Sequence, residues 1–314
     1  MIPRLAMRHS PSLVAKHLAG NANDILWMIR NNTPAVAAGL IGELFRARLA
    51  MASSRGLYTE LTNRELEARK RSNRVFIFGS GYSINAITDR EWALIAEHDT
   101  IGFSGSIYLK KVAFTYMLLR AWTETPAGSL AWKNDAEEVI GTIEENPFLS
   151  ETSFILQHGL TAIFVNRLIG HRLWNPEWPV YFYLSDKISK LPHRRLADGI
   201  VNSKSTLCSA ISFASALKYE EIVLVGVDLY DNRYFWLPPD KNMGWSSAEQ
   251  KLVASDQTVR GLTVASAHNT VNNGIIETMS LWSAHLLDRY GVKMYVYNPR
   301  SLLAENLPVF KWKP

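Results

Sequence analysis

The sequence predicts an α/β fold: a mostly parallel sheet flanked by helices, with a small lid and a helical N-terminal extension. Three stretches carry that expectation. "RVFIFGSGYSI" (74–84) is a short apolar run that ends in a glycine turn, and "AITDREWALIAEHD" after it has helical spacing. "STLCSAISFASALKY" (205–219) opens on Ser/Thr, continues as a helix of small residues and leads straight into the strand "EIVLVGV" (221–227). "IIETMSLWSAHLLDRYG" is an amphipathic helix stopped at Gly291, and the strand "VKMYVYNP" follows it. Strands that alternate with helices pair in parallel, and such sheets hold their ligands beyond the carboxyl ends of the strands.

The remaining elements are weaker in pattern. "DTIGFS" (99–104) and "PVYFYLSD" (179–186) read as strands that end in small polar groups. Between them, 107–175 reads as largely helical, with Leu118, Leu119 and Trp122, then Ile163, Phe164 and Leu168, at helical spacing. Residues 57–74, with "NRELEARKRSNR", read as a charged helix or linker. The expected division is therefore a basic amphipathic extension (1–73) and a Rossmann-like domain (74–314), with 235–267 as a lid. The lid carries Trp236 and Trp245 in a stretch rich in Pro and Gly, "FWLPPDKNMGWSSAEQ".

Composition limits the function classes. The chain has 314 residues, 47% of them hydrophobic, enough for one main core with appendages. Cys208 is the only cysteine, which excludes disulfides and thiolate metal clusters and reads as a small buried residue in a reducing compartment. No apolar run reaches the ~18 residues of a spanning helix, and the N-terminus lacks the apolar block of a secretory signal. The expected location is the cytoplasm. Up to Gly56 there are seven basic residues (Arg4, Arg8, Lys16, Arg30, Arg46, Arg48, Arg55) against Asp24 and Glu43, a surplus of +5 that equals the net charge of the whole chain. A basic arm that also carries Leu26, Trp27, Ile29, Leu40 and Phe45 suits peripheral contact with the inner membrane through residues 1–56, packing in a homo-oligomer, or folding back on the main domain. The basic residues are too dispersed for a nucleic-acid stripe.

The chemistry concentrates at "VDLYDNRYFW" (227–236), where Asp228, Tyr230, Asp231 and Tyr234 stand just past the end of a core strand. Gly79-Ser80-Gly81 ends the first strand in the manner of a phosphate-approaching turn, but Ile84 stands where the dinucleotide fingerprint has its third glycine. No cluster with metal-ligand spacing accompanies these residues.

Taken in order, "VFIFGSGYSI", "STLCSAISFASALKYEEIVLVGVDLYDNRYF", "SAHNT" (266–270) and "YGVKMYVYNPRSLLAEN" resemble the bacterial sialyltransferases of glycosyltransferase family 42. The resemblance spans roughly 74–308, is thin between 107 and 200, and is silent on 1–73. It implies an enzyme that transfers an acidic sugar from its cytidine monophosphate (CMP) ester, with the CMP-sugar as co-substrate and no cofactor or metal. By position it implies that Tyr230 and Tyr234 hydrogen-bond the departing phosphate and that His268 is the catalytic base. It further implies that Gly79, Ser80, Gly81, Ser83, Ser104, Ser205, Thr206 and Asp228 line the nucleotide site. A retaining route through Asp228 or Asp231 ranks below the inverting one. Arg233 and Arg300 are candidates for the donor's carboxylate. Two departures stand out: Ser80 and Ser104 occupy positions where the family has asparagine. They leave open a related nonulosonate or Kdo as donor and a nucleotide-binding module without turnover; a second enzyme reading, a flagellin-modifying transferase of the motility-accessory type with a similar core, puts a protein in place of the glycan acceptor.

Each of these residues also has a structural reading. Tyr230 and Tyr234 are ordinary strand-end packing residues, Asp228 a hydrogen-bonding carboxylate, and His268 and His285 helix histidines.

Overall fold

The protein's structure, a computed structural model, describes residues 25–26, 29–30, 33–35, 37–39, 41–42, 59–119, 139–157, 175, 177–186, 188–230, 234–236 and 273–312. His268, Asp231, Arg233, Trp122, Ile163, Phe164, Leu168, Trp245 and the body of the expected lid (237–267) lie outside the described residues.

Eight parallel strands form one sheet in the order β1-β6-β5-β4-β3-β2-β9-β10. They are β1 (Thr59–Glu60), β2 (Arg74–Phe78), β3 (Asp99–Phe103), β4 (Tyr116–Leu119), β5 (Ser153–Gln157), β6 (Pro179–Tyr183), β9 (Glu221–Val225) and β10 (Lys293–Val296). A small parallel pair, β7 (Ser185–Asp186) with β8 (Ile200–Val201), stands apart from that sheet. Helices that pack on or flank this sheet include α1 (Asn63–Ala68), α2 (Asp89–Ala96), α3 (Thr206–Ala216) and α4 (Ile275–Tyr290).

Side-chain alternation along each strand builds a core on both faces of the sheet. Val75, Ile77, Ile101, Leu118, Ile155, Ile222 and Leu224 pack toward α3 and α4, where Ile211, Phe213, Met279 and Trp282 are fully buried. Phe76, Phe78, Met117, Phe154, Val223 and Val225 pack the other way, against Trp92 and Ile95 of α2 and against Ile107 and Ile143. Burial on both faces explains why these strands are continuous apolar runs rather than alternating ones.

The helix ends follow local chemistry. Thr62 and Thr88 open α1 and α2 with reciprocal capping boxes to Glu65 and Glu91. Gly291 ends α4 at φ 69°, a left-handed conformation that glycine adopts without strain.

Two regions differ from the sequence expectation. Leu118 and Leu119 belong to strand β4, and β5 follows it, within a segment read as largely helical. A four- or five-residue apolar run buried on both faces has no period, so helix and strand are indistinguishable from pattern alone. Residues 59–68, grouped with the extension by composition, add β1 to the sheet edge through pairing with Pro179 and Val180 and bury Leu66 through α1.

Asp99 ties the amino end of the sheet. Its carboxylate accepts from the Arg71 and Ser72 backbone amides, from Arg71 Nε and from the Tyr219 hydroxyl at 2.8–3.1 Å. Among the described residues, no helix is long and apolar enough to cross a membrane.

Candidate active site

The strand order reverses between β2 and β9. From β2 the chain runs outward through β3, β4, β5 and β6, whereas β9 and β10 lie on its other side. Connections that leave two neighbouring strands in opposite directions open a crevice at their carboxyl ends.

The two chain exits at that crevice are pressed together. The Gly79 N–H donates to the Val225 carbonyl and the Gly81 N–H to the Gly226 carbonyl, both at 2.8 Å. A Cβ on Gly79 would stand 2.5 Å from the Gly226 oxygen, and one on Gly81 would stand 2.5 Å from Asp228 Oδ2. Close approach of β9's exit is thus what requires glycine at these two positions.

Asp228, 2% exposed, is the hub. Its Oδ2 accepts from the Ser83 N–H at 2.9 Å, and its Oδ1 accepts from the Ser83 hydroxyl and from Asn298 Nδ2, the latter at 2.8 Å. Such saturation holds a buried carboxylate in place. Leu229 then takes a left-handed turn, φ 62°, and Tyr230 emerges into solvent, 40% exposed. Its hydroxyl oxygen accepts from the same Asn298 Nδ2 at 3.2 Å, and the Arg300 guanidinium lies over its ring, 5.3 Å from the centroid. The turn after β10 is stitched to the exit of β9: Ser301 Oγ donates to the Val227 carbonyl at 2.6 Å and the Leu302 N–H to the Asp228 carbonyl at 3.2 Å. The preceding Tyr297 donates its hydroxyl to Glu91 Oε1 at 2.6 Å, which anchors that turn to α2. Burial, reinforced by this bond, pushes the Tyr297 phenol well above its ordinary range.

Tyr234 has a different setting. It forms an isolated antiparallel bridge with Gly81, and the Phe235 N–H donates to the Ser80 carbonyl at 3.2 Å. Its ring is buried and stacks on Trp236 at 4.7 Å, and Trp236 stacks in turn on Tyr108 at 4.9 Å. The indole also rests on Gly105, where any Cβ would collide with it.

Ser104 begins the 3-10 turn Ser104–Tyr108 after β3, at φ 51°. Ser205 occupies the N-cap of α3 without a side-chain cap bond, its hydroxyl 3.9 Å from Cys208 Sγ, and Thr206 is the first helical residue. Because α3 runs back to deliver β9, its N-terminus lies toward the carboxyl edge of the sheet. Nearby, at the end of β5, Gln157 Oε1 accepts from Asn202 Nδ2 at 3.4 Å, whose own Oδ1 accepts from Ser209 at 3.0 Å. Gln157 Nε2 is buried without a hydrogen-bond partner.

The structure therefore brings Gly79, Ser80, Gly81, Ser83, Asp228, Tyr230 and Tyr234 to one crevice. The chain is similar in overall course to sialyltransferases of known structure. Cst-I from Campylobacter jejuni, a monofunctional alpha-2,3-sialyltransferase, is 14% identical over 76% of this chain and 82% of its own, with a TM-score of 0.42. CstII from the same organism, in complex with the substrate analogue cytidine-5'-monophosphate, is 16% identical over 75% of this chain and 84% of its own, with a TM-score of 0.36. A CST-II complex with a trisaccharide acceptor and CMP is 15% identical over 75% and 85%, with a TM-score of 0.38. No family model and no curated protein matches the chain.

Asn298 and Tyr108 were not candidates from sequence. The Asn-Pro pair after β10 is a turn signal that marks Asn298 as a strand-exit residue. Nothing local marks Tyr108, whose importance lies in a ring 128 residues further along the chain. Among the described residues, no group of three His, Cys, Asp or Glu side chains is arranged to hold a metal ion.

Proposed function

We propose that the protein is an inverting, metal-independent glycosyltransferase that moves a 2-keto-3-deoxy acidic sugar from its CMP ester to a hydroxyl of a cell-surface glycan. The observation that carries this reading is the Asp228 carboxylate. It binds Ser83 and Asn298, and so joins at one crevice three of the four stretches on which the resemblance rests: the glycine turn, the exit of β9 and the C-terminal turn.

The chemistry follows from the leaving group. Departure of CMP breaks the bond between the anomeric carbon and the phosphate oxygen and leaves an oxocarbenium-like centre, so charge builds on the phosphate. Phenolic O–H groups aimed at that phosphate stabilise the developing charge, and exposed Tyr230 at the crevice mouth is the first of the pair assigned to it, with Tyr234 the second. The acceptor hydroxyl attacks from the opposite face and forms the new C–O bond, and its proton passes to His268, which is assigned as base on resemblance alone. The donor carries a single phosphate, so no divalent ion is needed to bridge two. Ser205 and Thr206, at the start of α3, are assigned to the nucleotide. Residues 1–56 would hold the enzyme at the inner membrane, close to a lipid-linked acceptor.

Ser80 and Ser104 favour one second reading, a donor other than sialic acid itself. A serine hydroxyl reaches less far than the family's amide, which suits CMP-Kdo or a related nonulosonate. The test is CMP release from the CMP esters of sialic acid and Kdo, with and without EDTA, by the wild type, Tyr230→Phe and His268→Ala. We expect chelator-resistant release from one donor, reduced about ten- to thousandfold by Tyr230→Phe. Absence of both binding and hydrolysis with either donor would overturn the proposal.

A further inference from the structure

We propose that Asn298 is a positioning residue of this site: it holds the Tyr230 phenol so that its O–H points at the leaving phosphate. The inference deepens the glycosyltransferase reading and rests on it for the identity of the phosphate.

Tyr230 is poorly constrained by its own strand. It follows a left-handed residue, its ring is exposed on the solvent side, and Arg300 covers one face of that ring. The bond that orients its hydroxyl comes from Asn298 Nδ2 at 3.2 Å. Asn298 is itself fixed at three points: its Nδ2 also donates to Asp228 Oδ1 at 2.8 Å, and its Oδ1 accepts from the Arg300 N–H at 3.0 Å. The donor at one end, the Arg300 N–H, and the two acceptors at the other leave only one orientation for the carboxamide.

The direction of the bond has a chemical consequence. An amide N–H can only donate, so the phenol oxygen accepts from Asn298 and its own proton is free to be donated elsewhere. A hydroxyl that already accepts a hydrogen bond is the better donor. Asn298 therefore sets both the angle and the donor strength of the group that meets the phosphate. Other side chains fail for distinct reasons. Aspartate would set a second carboxylate against Asp228, alanine has nothing to donate, and serine can still accept from the Arg300 N–H but is too short to reach the phenol.

The test uses the full chain with 3-fluorotyrosine placed at position 230 and followed by fluorine NMR, beside the rate of CMP release. In the wild type we expect one resonance displaced from that of free fluorotyrosine. Asn298→Ala and Asn298→Ser should both move it toward the free position. Each should also lower turnover of the donor about ten- to hundredfold with little change in KM, the range for a misplaced group. In the Tyr230→Phe background the same substitutions should have almost no further effect. A purely structural role, acting through a loosened Asp228, would cost the same in both backgrounds and would overturn the proposal. An unchanged resonance in both Asn298 variants would overturn it whether or not the protein is active. A displaced resonance in a protein that neither binds nor cleaves a CMP ester would support the positioning and remove the proposed donor instead.

Discussion

Ser83 grips Asp228 at both carboxylate oxygens, its amide on Oδ2 at 2.9 Å and its hydroxyl on Oδ1. Ser83 belongs to the turn after β2 and Asp228 to the exit of β9, so this contact holds the crevice at the width the two strands set. Asp228→Asn would present N–H groups to donors on at least one side and leave buried polar atoms unpaired. We expect a loss of about 2–4 kcal/mol in urea unfolding, against about 1–2 kcal/mol for Ser83→Ala, which removes only the hydroxyl.

Gly81 and Gly291 should respond to alanine for different physical reasons. Gly291 has φ 69° but open space around it, so Gly291→Ala pays only the left-handed backbone penalty of about 1–2 kcal/mol. Gly81 has an ordinary φ of -68°, yet a Cβ there would meet the Asp228 carboxylate at 2.5 Å and the Gly226 carbonyl at 2.7 Å. We expect Gly81→Ala to cost more than Gly291→Ala, about 3 kcal/mol or more, because the obstacles are backbone and a pinned side chain. Thermal unfolding of the two variants side by side is the measurement.

Asp186 supplies an acid-dependent tie outside the crevice. Its Oδ2 is 2.7 Å from His193 Nε2, and its Oδ1 accepts from the Ile188 and Ser189 amides at 2.8 and 3.1 Å. Burial by itself would raise this carboxyl, but the hydrogen bonds from His193, Ser189 and Ile188 outweigh burial and hold it at about 2, below the ordinary 3.8. A depressed carboxyl stabilises the fold when ionised. Its contribution, about 2 kcal/mol, is therefore complete above about pH 4 and lost as pH falls through about 2. The stability difference between wild type and Asp186→Asn should shrink over that window. A difference that does not shrink between about pH 4 and 2 would contradict this assignment.

Trp236 is held between Tyr108 and Tyr234, and its indole rests on the bare backbone of Gly105. Trp236→Ala should remove two ring contacts worth about 0.5–1.5 kcal/mol each beyond the buried area. It should also free Tyr234, with lower near-ultraviolet circular dichroism and weaker CMP binding by calorimetry. Trp236→Phe should restore most of both signals.

Much of this architecture is written in local pattern. The capping threonines at 62 and 88, the Ser205 start of α3 and the Gly291 stop of α4 are each set by residues within one helical turn, and so are readable one stretch at a time. The strands β4 and β5 are not, because a short run buried on both faces loses the alternation that distinguishes strand from helix.

The candidate site divides in the same way. By itself the sequence determined that the glycine turn, Asp228 and Tyr230 stand at strand ends, since apolar runs that break into polar residues mark where a buried strand leaves the core. Only the tertiary structure decided that β2 and β9 are neighbours, that Gly79 and Gly81 serve their close approach, and that Asn298 reaches Asp228 and Tyr230 from 68 or more residues away. Strand order and side-chain meetings of that kind are set by the packing of two whole cores on one sheet, and no local window of sequence contains them.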